Sequence, residues 1–415
     1  MAEVKPFRAL RPVKDKAGQI SAQPYDSSHP EISTAEFQNN PFSYLHVVKS
    51  YMDFSDEVRN PSSHFSDGLA YLEKLKSEGQ LIRETKPAFY IYRLIRGSTA
   101  FTTLIASAAI DDYLNEKILK HENILTEKLG ELVEHISFFN SMGNPVLLTY
   151  PDNEQIDLIL DKYIHNHAPE YNFISINQMK HNLWVVEETE DVRQIEEAFR
   201  GMTYLYIADG HHRSAGAAAY CEKVRSELKQ FRGDEAFNFF PACLIPFSKL
   251  QIHEYHRLIK DEKTVNDPTL LYRLSEFFII KDAGNIPIQP LSKGEMGIYF
   301  NRKSFQLRLK PELIQSLSGL LDHLDVSIVE EFILRKIFNI HDSKSDRRLS
   351  FLDGSKGLGN LQKWVDSGEQ SIAITLYPTS IEELKMIADA RLIMPPKSTW
   401  IEPKIRTGLV IYETL

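Results

Sequence analysis

Residues 204–230 read YLYIADGHHRSAGAAAYCEKVRSELKQ, and this stretch says most about the fold and the chemistry of the chain. Tyr204 to Ala208 is short, apolar and rich in aromatic residues, which predicts a buried strand. From Arg213 onward the residues are rich in Ala, Glu and Lys, which predicts a helix. A strand that turns through Gly210 into a helix directs backbone N–H groups and the positive end of the helix dipole at one spot. Such a spot is suited to an anion, most often a phosphate.

The turn carries four polar or charged side chains, which are Asp209, His211, His212 and Arg213. In one interpretation Asp209 caps the helix and the other three are exposed residues of its first turn. In the other, the turn binds an anion, because an arginine near a helix N-terminus opposes the dipole unless an anion accompanies it. The interpretation as a zinc site has less support, because adjacent histidines do not share a helix face and only Cys221 and Cys243 could complete the ligand set.

The composition limits the classes of protein that need to be considered. The 415 residues are enough for two or three domains, and 42% hydrophobic with 25% charged residues is ordinary globular composition. A net charge of −9 provides no basic field for a nucleic acid. The presence of only two cysteines favours a reducing compartment. The N-terminal residues lack the apolar core of a signal peptide. No run approaches the roughly 18 apolar residues that a membrane span needs. We therefore expect a cytoplasmic protein that binds neither nucleic acid nor membrane.

Helix and strand patterns alternate along the chain and predict a mixed α/β fold. Residues 87–97 and 99–110 read as a strand pair around Gly97–Ser98, and ISIN at 174–177 reads as a further strand. Ser380 with Glu383 three residues later predicts a capping box at the start of a helix. We expect an N-terminal α/β region over 1–110, a core over 111–262 and a C-terminal α/β region over 263–415.

A second segment with candidate functional residues is MPPKSTWIEPK at 394–404. It contains Lys397, Ser398, Thr399, Trp400 and Lys404 between prolines. One interpretation is a rigid loop that presents cations, and the other is a surface loop whose Trp400 covers the core. The sequence favours neither.

Glu122, within Lys120-His121-Glu122-Asn123, is the best partner for a phosphate-binding turn. It precedes a predicted helix that begins near Ile124, so its carboxylate would emerge at a helix N-terminus. A carboxylate beside a phosphate holds Mg²⁺ or accepts a proton from an attacking hydroxyl. Alternatively, Glu122 only stabilises the first turn. The glycines near 354–359 do not match a dinucleotide-binding fingerprint, and no Walker A loop occurs.

Several separated motifs together resemble a bacterial and archaeal family labelled a domain of unknown function. They are ALRP, QPYD, DDY, KHE, ADGHHR, LDVSI and the C-terminal LYPTSIEELKMIADA with MPPKSTWIEPK. The order KHE, helix, PVLLTY and IADGHHR also resembles the core of the ParB/sulfiredoxin-like superfamily. In that superfamily a Gly-containing strand-to-helix motif that ends in Arg binds nucleotide phosphates. Its closest enzymatic analogue by motif is the free-serine kinase, which makes O-phosphoserine from ADP or ATP.

The resemblance implies roles for individual residues. Asp209 would position the serine hydroxyl or bind Mg²⁺, and Gly210, His211, His212 and Arg213 would line the nucleotide phosphates, with His212 also among the catalytic residues. Glu122 would be the general base, although Lys120 replaces the kinase's proline and about 86 residues separate Glu122 from Asp209, roughly twice the expected spacing. Lys397, Ser398, Thr399 and Trp400 would bind the substrate's carboxylate or phosphate.

Three functions follow as hypotheses. The first is a small-molecule kinase that uses ATP or ADP with Mg²⁺ and acts on free L-serine. The second is a ParB-like regulator that binds CTP or ATP without kinase activity. The third is a phosphate-binding hydrolase that uses Asp209 and the histidines. The acidic net charge counts against a DNA-binding form of the second.

Overall fold

The computed structural model describes residues 2–24, 30–48, 61–124 and 126–415. Strands and helices alternate throughout these residues, so the predicted mixed α/β class is confirmed. Tyr25 and Asp26 of the QPYD motif lie outside the described residues.

Contacts divide the chain into two compact units. The first unit combines 1–120, 124–250 and 403–415, and the second combines 121–123 and 251–402. The first unit thus contains the strand-turn-helix stretch together with the last residues of the chain. The three-region division expected from the sequence stays a prediction.

A mixed sheet forms the centre of the first unit, and nine strands of it fall within the described residues. In spatial order eight of them are Ile118–Leu119, Leu205–Asp209, Val146–Tyr150, Phe239–Pro246, Thr99–Ala109, Phe89–Arg96, Lys180–Val186 and Tyr171–Ile174, and Val4–Lys5 pairs beside Thr99–Ala109. Phe89–Arg96 and Thr99–Ala109 form the predicted antiparallel hairpin, which is confirmed. Two small sheets pair Leu10–Pro12 with Leu81–Arg83 and Ser141–Met142 with Tyr412–Glu413.

Helices pack around this sheet, and two of them contact each other closely. Gly216 lies in the His211–Glu227 helix, and a Cβ atom there would come within 2.9 Å of the Leu132 Cβ atom on the Thr126–Phe139 helix. The lack of a side chain at Gly216 therefore lets the backbones of the two helices approach each other. The α-helices of this unit are Ala17–Ile20, Pro30–Asn39, Leu45–Val48, Pro61–Ser77, Ile110–Leu114, Thr126–Phe139, Glu154–Asn166, Thr189–Arg200 and His211–Glu227.

The second unit is built on a six-stranded antiparallel sheet. Its strands in spatial order are Phe278–Gly284, Lys303–Leu309, Met296–Phe300, Ile372–Leu376, Tyr255–Ile259 and Leu349–Asp353, and a separate pair joins Gln251–His253 to Trp400–Glu402. A cluster of buried residues that includes Leu258, Tyr299 and Leu361 packs on this sheet.

Short helices connect the strands of the second unit. Its α-helices are Glu262–Val265, Leu270–Ser275, Pro311–Ser316, Asp325–Ile328, Leu358–Asp366 and Ile381–Asp389, and a π-helix spans Val329–Arg335. The Ser380 hydroxyl accepts from the Glu383 N–H and the Glu383 carboxylate accepts from the Ser380 N–H, so the predicted capping box is confirmed. In neither unit is any helix of the described residues long and apolar enough to cross a membrane.

Candidate functional site

The stretch at 204–230 folds as a strand, a one-residue turn and a helix. The strand is Leu205–Asp209 and the helix is His211–Glu227, so both predicted elements are confirmed. Gly210 between them has φ 99° and ψ 31°, a left-handed conformation that glycine adopts without a steric penalty. Gly210 is itself the N-cap residue and, as a glycine, has no side chain that could make a capping hydrogen bond. Asp209 is therefore not the N-cap residue of the helix.

The neighbouring strand brings a second segment to this turn. Val146–Tyr150 runs antiparallel to Leu205–Asp209, so the start of the former lies beside the end of the latter. The register shifts between Ile207 and Asp209, which is an irregularity that changes the direction of the Asp209 side chain. Asn144 and Pro145, which precede Val146, consequently lie within reach of Arg213.

Arg213 ties these two segments together. Its Nη1 donates to the Asn144 Oδ1 at 2.7 Å and to the Pro145 carbonyl, and its Nη2 donates to the Asp209 Oδ2 at 2.6 Å. The Arg213 side chain is 21% exposed. The carboxylate and the carbonyls therefore compensate for an arginine at the positive end of a helix dipole.

The C-terminal segment of the first unit supplies a second cation. Lys404 Nζ lies 3.3 Å from the Asp209 Oδ1, so both oxygens of this carboxylate face a positive charge. Burial favours the neutral form of Asp209, but the charges of Lys404 and Arg213 outweigh this effect and hold the pKa of the carboxyl below its usual range. Asp209 is therefore ionised throughout the neutral pH range. The sequence places Lys404 among the cations of the C-terminal motif but does not identify it as a partner of Asp209.

Replacing Gly210 with alanine is expected to disturb this arrangement. A Cβ at residue 210 would lie 2.9 Å from the Arg213 guanidinium carbon, and the positive φ would cost about 1–2 kcal/mol of folding free energy. Chemical denaturation measures this loss. The matched control is Gly130→Ala in the Thr126–Phe139 helix, where a Cβ meets nothing within 4 Å, and it should gain about 0.5–1 kcal/mol. Equal effects of the two substitutions would contradict the conformational argument.

The remaining residues of the turn differ in exposure. His211 is buried, at 2% exposure, whereas His212 and Arg213 are half-buried. Asp209, His212 and Arg213 are therefore partly accessible at the turn, whereas His211 is packed in the interior. The roles predicted for the two histidines stay predictions.

Glu122, predicted as a general base, belongs to the second unit and is exposed. It lies just before the Thr126–Phe139 helix, in agreement with the expected position before a helix start. Its role in catalysis stays a prediction.

The predicted substrate-binding residues also belong to the second unit. Trp400 is buried and packs edge-on against the Tyr255 ring at 5.8 Å, and Lys397 Nζ lies 5.1 Å from the centre of the same ring. The Ser398 hydroxyl donates to the Pro395 carbonyl at 2.6 Å, and Thr399 is half-buried. The segment is thus a fixed turn whose Trp400 helps to cover the core, and its contact with a substrate stays a prediction.

The residues at the turn fit the way in which proteins bind Mg²⁺ together with a nucleotide. Mg²⁺ in such sites takes one or two carboxylates and completes its ligands with phosphates and water. Asp209 offers one carboxylate that is 36% exposed. In the described part of the chain, no three His, Cys, Asp or Glu side chains are grouped so that they could hold a metal ion. A metal at Asp209 would therefore need phosphate oxygens as further ligands.

The solved structures to which this chain is distantly similar include a free serine kinase, SbnI and a conserved hypothetical protein. A free serine kinase in complex with AMP is 13% identical, with a TM-score of 0.37, over 74% of this chain and 91% of that one. SbnI from Staphylococcus aureus, with a C-terminal truncation, is 11% identical, with a TM-score of 0.37, over 73% and 84%. A conserved hypothetical protein from Pyrococcus furiosus is 14% identical, with a TM-score of 0.36, over 74% and 95%.

No curated protein matches the chain. One family model does, and it covers residues 4–327, which include the strand-turn-helix stretch, most of the first unit and about half of the second. The chain therefore belongs to the family described as protein of unknown function DUF1015.

Proposed function

We propose that this protein is a phosphotransferase that moves a phosphoryl group from ATP or ADP to a small hydroxyl compound, with free L-serine as the favoured acceptor. The observation that carries the proposal is the Gly210 turn, where Arg213 and Lys404 both contact the ionised Asp209 at the N-terminus of the His211–Glu227 helix. Phosphoryl transfer requires mainly positioning and neutralisation of charge on the transferred group, and this turn offers both. The ADGHHR and KHE motifs support the choice of serine, because they resemble those of the free-serine kinase.

The transfer breaks one P–O bond of the nucleotide and forms one to the hydroxyl oxygen of the acceptor, whose proton passes to a base. Mg²⁺, when bound with the nucleotide, neutralises charge on the transferred group. Asp209 is a weak proton acceptor, because a carboxyl with a lowered pKa has little affinity for a proton. We therefore assign it the binding of Mg²⁺ or the orientation of the hydroxyl. Glu122 is the proposed proton acceptor, and Lys397, Ser398, Thr399 and Trp400 are the proposed contacts of the acceptor.

The test is a product assay with a panel of acceptors. The protein is incubated with ATP or ADP, Mg²⁺ and each of the amino acids in turn, and phosphoamino acids are detected by mass spectrometry. The proposal predicts O-phosphoserine and the stoichiometric loss of one phosphoryl group from the nucleotide. A Glu122→Gln variant should lower turnover by about a hundredfold while nucleotide affinity stays unchanged, as expected of a proton acceptor.

The same experiment distinguishes the alternative of a nucleotide-binding regulator without kinase activity. That alternative predicts tight binding of CTP or ATP and no phosphoamino acid. Release of inorganic phosphate without any acceptor would instead favour a hydrolase. Either result would overturn the kinase proposal.

A further inference from the structure

The first unit contains a cavity of about 310 Å³ that is separate from the Gly210 turn. Six charged side chains line it, and they are Glu3, Lys5, Asp112, Lys117, Glu196 and Arg200. The Lys117 carbonyl accepts from the N–H of Leu205, the first residue of the strand that ends at Asp209. The five residues of this strand span about 13 Å, so the cavity and the turn lie at opposite ends of it.

One wall of the cavity is held by Asp112, from the DDY motif. This buried carboxylate accepts from the Glu3 N–H at 2.5 Å through Oδ2 and from the Lys117 Nζ at 2.7 Å through Oδ1. The Glu3 carboxylate in turn lies 2.8 Å from the Lys5 Nζ. Because both oxygens of Asp112 already have partners within the protein, its role is to fix the wall and not to contact a ligand.

The opposite charges of Glu196 and Arg200 are not used within the protein. They lie four positions apart on the Thr189–Arg200 helix, in the order that favours an ion pair. On the same helix Arg193 and Glu197 have the same spacing and do pair, at 2.8 Å. Among the described residues, neither the Glu196 nor the Arg200 side chain makes a hydrogen bond or an ion pair, and both line the cavity. The cavity thus offers one carboxylate and one guanidinium to a ligand.

We propose that this cavity binds a small zwitterion, a compound with one ammonium and one carboxylate group. Its carboxylate contacts Arg200, whose planar fork matches a carboxylate, and its ammonium group contacts Glu196. A ligand with only one of these charges would satisfy only one of the two side chains. A polyanion would meet three carboxylates in the lining. This inference goes beyond the proposed function and does not depend on it, because the cavity lies away from the Gly210 turn.

The first experiment is a titration of the full chain with three zwitterions, followed by ligand-observed NMR. Glycine, β-alanine and γ-aminobutyrate carry the same two charges at increasing separation. At least one of them should bind, and it should bind at least about tenfold more tightly than its N-acetyl derivative and its amide. Each of these derivatives lacks one of the two charges.

Two variants test the assigned contacts. Glu196→Gln should weaken binding of the zwitterion at least about tenfold and leave the affinity for its N-acetyl derivative unchanged, because that derivative has no ammonium group. Arg200→Met should likewise weaken the zwitterion and leave the amide unchanged. Neither variant should shift the midpoint of urea denaturation, since neither side chain has an ion pair to lose. The matched control is Arg193→Met on the same helix, which should not change the affinity.

The outcomes separate this site from the Gly210 turn. The Asp209→Asn variant should bind the zwitterion as tightly as the unchanged chain does. If none of the three zwitterions binds, or if Arg193→Met and Arg200→Met weaken binding equally, the inference is overturned. Binding that is lost in Asp209→Asn but kept in Arg200→Met would place the compound at the Gly210 turn and would also overturn it. A chain that binds a zwitterion in this way but forms no phosphoserine would contradict only the proposed function.

Discussion

Replacing Asp209 with asparagine is expected to lower the rate of phosphoserine formation by about a hundredfold or more. Removal of a positioned acid/base or metal-binding group has an effect of this size. The amide keeps the shape of the side chain but removes the charge that would bind Mg²⁺. It also leaves Arg213 and Lys404 without the carboxylate that both contact. The measurement is the initial rate with saturating nucleotide and acceptor, so that a change of affinity alone does not account for the loss.

The matched control for this prediction is Asp161→Asn. Asp161 is 73% exposed and faces Arg93 at 3.5 Å, so it is also an aspartate paired with an arginine. An exposed pair of this kind contributes little to stability, and turnover should not change. Because the pKa of Asp209 is held below its usual range, lowering the pH from 7 to 5 should not reproduce the effect of the asparagine. Full activity of the Asp209→Asn variant would show that the carboxylate has only a structural role.

Replacing Arg257 with methionine should lower the free energy of unfolding by about 3 kcal/mol, because buried carbonyl groups lose their donor. Arg257 is fully buried in the second unit. Its Nη1 donates to the Tyr255 carbonyl at 2.6 Å and to the Lys397 carbonyl at 3.1 Å, and its guanidinium lies 5.2 Å from the centre of the Phe351 ring. Burial lowers the pKa of Arg257 to about 10, so the group stays charged at neutral pH.

The contacts of Arg257 also fix the turn that carries Lys397, whose φ is 55°. The substitution should therefore loosen this turn as well as destabilise the unit. Urea denaturation gives the change in free energy, with exposed Arg347→Met as the control that removes an arginine without burial. Equal stability of the two variants would show that the Arg257 contacts contribute nothing net.

The parts of the fold that depend on neighbouring residues were predictable from the sequence. The hairpin follows from two apolar runs around Gly97–Ser98, and the capping box follows from Ser380 and Glu383. The strand predicted at 174–177 is wrong beyond Ile174. There the Ser175 N–H donates to the Met179 carbonyl and closes a turn, which replaces the ladder that an apolar alternation suggests.

The composition of the site depends on distant residues and was only partly predictable. The pattern of residues 204–213 gives the strand, the turn and the helix. It does not predict that Gly210, in a left-handed conformation, is the N-cap residue. Because Gly210 takes this position, the Asp209 side chain is not the cap and contacts other partners. Lys404 lies 195 positions from Asp209, and Asn144 lies 69 positions from Arg213. Lys397 and Lys404 lie in the same motif, and no local pattern shows which of them contacts Asp209. Residues 403–415 belong to the first unit, where Tyr412–Glu413 pairs with Ser141–Met142, and this places Lys404 in the same unit as Asp209.

Calorimetric titration of the full chain with ADP and with adenosine, in the presence of Mg²⁺, tests most directly whether the Gly210 turn binds the phosphates of a nucleotide. The charged donors at the turn would contact the phosphates and not the nucleoside, so ADP should bind at least about a hundredfold more tightly than adenosine. In the Gly210→Ala variant this difference should shrink while the affinity for adenosine stays unchanged. Equal affinities for ADP and adenosine, or no binding of ADP at all, would contradict phosphate binding at the Gly210 turn.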